Sequence, residues 1–462
     1  MEKTNLSNLT EGPILNKLLF IAIPIMGTQL FQMLYNLIDM FLLGRVSGDA
    51  VAATGTAGMY IWLAAAFLMI GRMGAEIGVS QSLGGSDIEA AKKYTQNSIF
   101  IATVSGVIYT AIMFLFIEPL IGFFQIQEAH VAEQAADYLL IVSIGIPLTF
   151  ISNAINGAFN GAGNSKLPFY INAFGMTVNV ILSPLFIFVF DLGLHGAAMA
   201  TVIAQTIICF LFILAIKFHK SRPFEDFSYK EMFTPNLQSI KQIFRWSLPI
   251  SIESLCFTIL TMIIARFISD YGAGAIATQR VGSQIESLSW LIGGGFASAL
   301  TAFMGQNFGA GKWDRIHKGF HISTIIMCVW GVIASSMLFF GAKQLFSLFI
   351  TEPDIVVLGV DYLRIFAIAQ FFTCIEALAA GAFRGIGKTQ PPSIVSITFN
   401  ALRVPMALLL AETSLGLNGI WWGMAIGNIL RGVVLMVWYM HFSRKQQQKE
   451  STLNMMKQAS PL

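Results

Sequence analysis

The segment GAFNGAGN at residues 157–164 returns as GAFRGIGK at residues 381–388, which is 224 positions further along the chain. The segment ADYL at 136–139 has the counterpart VDYL at 360–363, at the same distance. Further pairs at almost the same spacing are Pro24 with Pro249, Gln81 with Gln306, Gly84 with Gly309, and LGLHG at 192–196 with LGLNG at 415–419. This constant spacing indicates two related halves joined end to end.

Composition places both halves in a membrane. Apolar residues make up 55% of the 462 positions and charged residues only 11%, whereas soluble chains carry about 25% charged residues. The mean hydropathy is +0.69. The four cysteines lie in apolar runs without CxxC spacing, so disulfide and zinc sites have little support.

The apolar runs predict twelve membrane-spanning helices, because about 20 apolar residues are needed to cross the hydrocarbon and no period-2 alternation is present. The predicted spans start near Ile14, Ala50, Tyr94, Val131, Pro168, Leu194, Ile240, Ala275, Gly319, Ile355, Pro392 and Leu417. We therefore expect an all-α integral membrane protein with two six-helix bundles. The expected boundaries are an N-terminal lobe at 1–218, a linker at 219–239, a C-terminal lobe at 240–443 and a cytoplasmic tail at 444–462.

Lysine and arginine predict the orientation. Outside the spans they fall almost entirely in one set of alternate loops, and only Arg45 and Lys343 lie on the other side. Because cytoplasmic loops are enriched in these residues, we expect a multi-pass plasma-membrane protein with both termini in the cytoplasm. The net charge of +3 reflects this topology and gives no reason to expect nucleic-acid binding.

The duplication itself favours a transporter. Each half has an even number of spans, so both enter the membrane from the same side and form parallel repeats about an axis along the membrane normal. Two such bundles around a central cavity can rock between inward-open and outward-open states, which is how alternating access is built. A channel or a receptor is the less favoured class, since neither has an evident use for this symmetry.

The order and spacing of several motifs resemble the MATE family of multidrug and toxic compound extrusion antiporters. These motifs are EGPI at 11–14, YNLID at 35–39, QSLG at 81–84 with QNFG at 306–309, and the repeated glycine segments quoted first. Asp39 together with Arg280 is most similar to the DinF-type branch. The resemblance implies export of lipophilic, often cationic drugs by antiport with protons through alternating access. It implies no nucleic acid and no obligate protein partner.

Asp39 is the sharpest candidate for the coupling site. An isolated carboxylate within a span is costly as an anion and can take up a proton, so it is a functional candidate by default. Tyr35 lies four residues earlier on the same helical face and is expected to hydrogen-bond the carboxylate. Asn36 belongs to the same motif, and Pro24 is the expected hinge that lets the first span bend after protonation.

The family's ion site, carried over by resemblance, adds residues from spans five and six to Asp39. They are Asn179, Ser183, Ala197 through its backbone carbonyl, and Thr201. The family often has aspartate where Ser183 stands. This departure leaves Asp39 as the only acid of the set and weakens a sodium site, which needs several oxygen ligands, more than a proton site.

The second half carries its own ionisable residues within spans, and they support an alternative. By resemblance to the sodium-coupled NorM-type branch, Glu253 and Thr373, with Glu376 about one turn from Thr373, would form an ion site. The wider polar C-lobe site would also include Glu286 and Arg280. Because charges in lipid usually pair, we expect at least one of these glutamates to pair with a buried arginine. We expect a further pair between Glu76 and Arg72, which are four residues apart on the second span.

Three rival interpretations remain, and catalysis is not among them. There is no Walker A motif for ATP and no HExxH pair, so we expect neither an enzyme nor a bound cofactor. The rivals are a sodium-coupled exporter, a lipid-precursor flippase suggested by the arginines of the second half, and the channel or receptor class. The expected partners are drugs or organic cations, protons or sodium ions, and the lipid bilayer.

Overall fold

The structure is a computed structural model that describes residues 8–126, 128–218, 224, 227 and 234–459, with the backbone alone for Ser451 and 453–459. All regular secondary structure within these ranges is helical. Twelve of the helices are long and apolar enough to span a membrane, which confirms the predicted number. Most of the linker predicted at 219–239 lies outside the described residues.

The helices follow one another in the same order in both halves. In the first half they are α1 Ile14–Val46, α2 Gly48–Gly84, α3 Ile88–Leu115, α4 Ile117–Gly122, α5 Ala129–Gly161, α6 Lys166–Pro184 and α7 Gly193–Phe218. In the second half they are α8 Leu237–Ser269, α9 Ala273–Gly309, α10 Trp313–Phe340, α11 Ala342–Ser347, α12 Pro353–Gly385, α13 Gln390–Ala411 and α14 Leu417–Ala459. The spans are all of these except α4 and α11.

The repeat predicted from sequence is visible in the helix lengths. Helices α2 and α9 each have 37 residues, and α3 and α10 each have 28. Helices α5 and α12 each have 33 residues, and even the short α4 and α11 each have 6. The two halves are therefore structural copies, as expected of parallel repeats.

Local sequence signals explain where several helices begin and end. The side chains of Ser47, Asp87 and Asn236 accept hydrogen bonds from free backbone N–H groups and so begin α2, α3 and α8. The last glycine of each repeated segment, Gly163 or Gly387, has a φ of 79° or 75° and follows the end of α5 or α12. A left-handed residue of this kind favours glycine, which accounts for part of the repeated motif.

Two helices differ from the simple expectation. Helix α14 continues to Ala459, so the described part of the predicted tail from residue 444 is an extension of the last span. Helix α6 reaches Pro184 and continues as a π-helical turn at Leu185–Val189. Proline lacks the N–H of a regular helix, and such irregular turns are common near functional residues.

The leading helix of each half crosses to the other lobe. Leu18 and Ile21 of α1 are buried in a cluster with Phe303 and other residues of the second half. Ile243 of α8 is buried against Ile70 in the first half. The two lobes are therefore joined by exchanged helix ends rather than by a flat interface.

Candidate functional site

A chain of hydrogen bonds links α1, α6 and α7 within the first lobe. The Tyr35 hydroxyl lies 3.4 Å from Oγ1 of Thr201, which also accepts a bond of 3.4 Å from Nδ2 of Asn179. Ser183 donates to Oδ1 of Asn179 at 2.9 Å. Asn179, Ser183 and Thr201 are all buried. Three of the residues assigned by resemblance are thus brought together with Tyr35.

Asp39 lies one turn beyond Tyr35 and has an unsatisfied oxygen. Its Oδ1 is buried and has no hydrogen-bond partner among the described residues. Both Tyr35 and Tyr138 of α5 lie within electrostatic range of its carboxylate. An unpaired buried oxygen costs more free energy on an anion than on a neutral acid, so this environment favours uptake of a proton.

Two details differ from the sequence-based expectation. The hydroxyl of Tyr35 was expected to bond Asp39, but its long side chain reaches across to Thr201 on α7 instead. Asn36 is exposed and its Oδ1 accepts a bond of 3.3 Å from Gln32, so it stands apart from the buried cluster. Residues i and i+1 of a helix point about 100° apart, which explains why Asn36 does not join Tyr35.

The oxygens of this cluster are largely engaged with one another. The carbonyl of Ala197 accepts a bond of 3.0 Å from Thr201, and Oδ1 of Asn179 accepts from Ser183. These bonds hold α6 and α7 together around the buried Thr201 hydroxyl.

The candidate acids of the second lobe each have a hydrogen-bond or ion-pair partner. Glu376 forms an ion pair of 3.0 Å with Arg431 of α14, which confirms the expected glutamate–arginine pair. Oε2 of Glu253 accepts a bond of 2.9 Å from Ser393 and lies 3.5 Å from Arg384. Glu286 accepts a bond of 3.1 Å from Tyr362.

These pairs do not converge on one cation site. Arg280 is exposed at the opening turns of α9, and the Thr373 hydroxyl donates to the carbonyl of Ala369 on its own helix at 3.2 Å. The described contacts of Glu253, Glu286 and Glu376 are with different partners. The second lobe therefore presents separate acids: Glu253 and Glu376 pair with arginines, and Glu286 is hydrogen-bonded to Tyr362.

Removing one member of the buried pair tests this assignment. Glu376→Ala leaves Arg431 largely buried without its counter-ion, and breaking such a pair typically costs about 3–5 kcal/mol. We expect a clear fall in the thermal midpoint of the purified protein. The exposed Glu118→Ala is the matched control and should leave the midpoint unchanged. Equal midpoints for both variants would show that the pair is not structurally important.

The predicted hinge lies within an unbroken helix. Pro24 is inside α1, and its carbonyl oxygen accepts a bond of 3.0 Å from the Thr28 hydroxyl. Since proline has no N–H, the helix lacks one backbone bond at this point. The helix can bend here at lower cost than elsewhere, although bending itself remains a prediction.

A polar cavity lies in the same lobe, between α1, α2, α5 and α6. Its volume is about 100 Å³. Neutral hydrogen-bonding side chains and one arginine line most of its wall: Thr28, Gln29, Gln32, Arg72, Asn153, Asn156, Asn160, Ser165 and Asn172.

The expected pair between Arg72 and Glu76 is not formed. Arg72 faces the cavity. The Glu76 side chain turns to the other lobe instead and accepts a hydrogen bond of 2.6 Å from Ser298.

The lobes close against each other at one face of the bundle, where α2, α5, α9 and α12 end; we call it the terminal face. Gln81 donates to the carbonyl of Gly385 at 2.8 Å, and Gln306 donates to the carbonyl of Gly161 at 2.9 Å. These two bonds are repeats of each other. At Gly309, an added methyl group would overlap the Gln81 carbonyl oxygen.

Packing is looser at three glycines near the junction of α1 and α2. A methyl group added to Gly44 of α1 or to Gly55 or Gly58 of α2 would meet no atom within 4 Å. The tight glycine contact between the lobes therefore lies at the terminal face.

Comparison with known proteins decides the family. The MatE family model matches residues 24–185 and 249–409, one match in each half. The chain belongs to the MatE family. Each match begins at the proline within a leading helix, Pro24 of α1 or Pro249 of α8. Members of this family are transporters, which confirms that the chain is not an enzyme.

Similar MatE-family proteins cover nearly the whole chain. A probable multidrug resistance protein NorM from Thermotoga maritima is 28% identical over 93% of this chain and 93% of its own length. A probable multidrug resistance protein YpnP from Bacillus subtilis is 26% identical over 94% of this chain and 96% of its own. The narrower likeness to the DinF-type branch stays a prediction.

Solved structures share the fold. An outward-facing MATE family multidrug resistance transporter of the MOP superfamily superimposes with a TM-score of 0.90 at 22% identity. The alignment covers 96% of this chain and 99% of the other. The predicted fold, two six-helix lobes around a central space, is thereby confirmed for this MatE-family chain.

Some residues of the site could not be found from sequence. Tyr138 lies within range of Asp39 only because α5 packs against α7, which in turn contacts α1, and the sequence marks ADYL only as a repeated segment. Asn153, Asn156 and Asn160 follow the spacing of one helical face, which was an available signal for a polar wall. Nothing in the sequence pointed to Ser298, because its hydrogen bond to Glu76 forms only where the two lobes meet.

Proposed function

We propose that this MatE-family protein is a multidrug exporter driven by protons, and that Asp39 is its proton-binding group. The observation that carries the proposal is the buried Asp39 oxygen without a hydrogen-bond partner among the described residues. The neighbouring polar groups are bonded to one another and so leave a proton as the simplest neutralising partner. The relatives named as multidrug resistance proteins support the drug as cargo.

The orientation follows from charge. The loops rich in lysine and arginine lie at the terminal face, so we place that face and both termini in the cytoplasm of a plasma-membrane protein. The described conformation is then closed at its cytoplasmic face, and we assign it to the outward-facing side of the cycle. In this conformation, Asp39 would be reached by external protons.

In the proposed transport cycle, binding of the drug and binding of the proton affect each other through the charge of Asp39. A lipophilic, often cationic drug enters from the cytoplasm, and the lobes rock to the conformation described here. Protonation of Asp39 removes a negative charge from the first lobe, lets α1 bend near Pro24 and weakens retention of the drug. Because each cargo favours the opposite charge state of one carboxylate, binding of one reduces the affinity for the other.

Purified protein in proteoliposomes tests the proposal. Ethidium, a lipophilic cation, would be supplied with a pH gradient alone or with a sodium gradient alone, and its uphill movement would be followed by fluorescence. We expect the pH gradient to suffice and the sodium gradient to drive nothing. Sodium-driven movement without any effect of pH would instead support the acids of the second lobe as the coupling site.

A further inference from the structure

Glu76 of α2 is a completely buried carboxylic acid at the contact between the lobes. Its Oε1 lies 2.6 Å from the Ser298 hydroxyl of α9, so one bond joins the two lobes. Its Oε2 is buried and has no hydrogen-bond partner among the described residues. One of the two carboxyl oxygens of Glu76 is therefore hydrogen-bonded at the closed terminal face, and the other is not.

Among the residues that the structure describes, no cation neutralises this acid by direct contact. The charged groups that face it are Arg72 on its own helix and Arg384 on α12, and both act only at a distance. Arg384 is already paired with Glu253 at 3.5 Å. Helix α9 presents the neutral Ser298, and α5 presents the backbone of Gly161, on which an added methyl group would lie 2.5 Å from the Glu76 carbonyl.

This environment fits a neutral acid better than an anion. A neutral acid can donate its proton to the Ser298 hydroxyl and leave only a carbonyl oxygen unsatisfied. The anion would leave a charged oxygen buried with neither a donor nor a contacting cation, which is far more costly.

We propose that Glu76 is a second proton-binding site of this transporter. It holds its proton while the terminal face is closed and releases it to the cytoplasm when the lobes separate there. Separation must break the contact with Ser298 and admit water, which stabilises the anion. The assignment of the receiving side rests on the proposed function, and the proton binding rests on the contacts alone.

The second half of the chain has no such acid at the equivalent place. Thr301, 225 positions after Glu76, donates to the carbonyl oxygens of Ala297 and Gly381 within its own lobe, at 3.0 Å and 3.1 Å. The pair of glutamine bonds at the terminal face is symmetric, but the buried acid is not. Glu76 thus makes closure of this face sensitive to pH, and a rise in pH favours the open state.

Spin labels on the terminal face can measure that closure. Glu89→Cys and Asp314→Cys place labels on exposed first-turn residues of α3 and α10, which are equivalent positions of the repeat. The four native cysteines would be replaced. In the otherwise unchanged protein we expect the closed population to fall as pH rises. With Glu76→Gln, a neutral side chain of the same shape, we expect closure at every pH and a closed-to-open ratio at least about tenfold higher at high pH.

Comparison with Asp39→Asn separates the two proton sites. If Glu76→Gln follows the parent's pH dependence, the second site is refuted, whatever the transport assays show. If Asp39→Asn loses proton-driven export but keeps the pH-dependent closure, the second site stands independently. Infrared difference spectra in the Asp39→Asn background give a readout that does not need conformational change: a carboxylic-acid carbonyl band should be present in the closed state and absent when Glu76→Gln is added. A closed state without that band contradicts the proposal.

Discussion

Replacing Asp39 with Asn is expected to abolish proton-driven uphill export and to fix drug affinity, at every pH, at the lower value of the protonated protein. Asparagine has the size of protonated aspartate but cannot lose a proton, so the first lobe no longer changes charge during the cycle. Coupling free energies between two ligands typically amount to about 5–150-fold in affinity, and we expect a loss of about 100-fold in the drug gradient that is sustained. Ethidium accumulation in proteoliposomes under an imposed pH gradient measures this.

The matched control is Asp137→Asn on α5. Asp137 is a half-exposed carboxylate that lies 3.1 Å from Nε2 of His195, outside the buried cluster. This variant should sustain the gradient of the unmodified protein. If both variants export equally well, the coupling proton binds elsewhere, and the glutamates of the second lobe become the next targets.

Gly309→Val is expected to stop transport for a mechanical reason. Its side chain would overlap the carbonyl oxygen of Gln81, so the terminal face could close only if two helix backbones moved apart. Overpacking a tight contact typically costs about 1–3 kcal/mol, and the upper value corresponds to roughly 100-fold in the closed-to-open ratio. The spin-label distance at the terminal face should lengthen, and export should fall by a similar factor.

Two further glycine variants show whether the effect comes from the tight contact at the terminal face. Gly84→Val is the equivalent change in the other half, since its side chain would overlap the carbonyl oxygen of Gln306, and it should have the same effect. Gly58→Val is the control, because an added methyl group there meets no atom within 4 Å. Normal export by Gly309→Val would mean that the tight contact forms no part of the cycle.

Much of the fold could be predicted because the signals are local. Apolar runs of sufficient length required helices, and the spacing between GAFNGAGN and GAFRGIGK revealed the duplication. Positive φ at Gly163 and Gly387 explains why that motif keeps its last glycine. The exchange of α1 and α8 between lobes was not predicted, since it depends on contacts distant in sequence.

The site was predictable residue by residue but not contact by contact. Asp39, Asn179 and Thr201 were expected in one region, and the hydrogen-bond chain joins Asn179 and Thr201 beside the helix that carries Asp39. Helical spacing alone predicted a hydrogen bond between Tyr35 and Asp39 and an ion pair between Arg72 and Glu76. Both predictions were wrong. In each case a partner on another helix competed with the neighbour one turn away.

The most direct test of the central claim is to count protons released when the drug binds. Ethidium would be added to purified protein in weakly buffered detergent solution containing a pH-indicator dye, with Asp39→Asn measured in parallel. If drug and proton compete through Asp39, binding releases protons from the unmodified protein, and the variant binds the drug without release. Drug binding without proton release from the unmodified protein, or equal release from the variant, would contradict Asp39 as the coupling group.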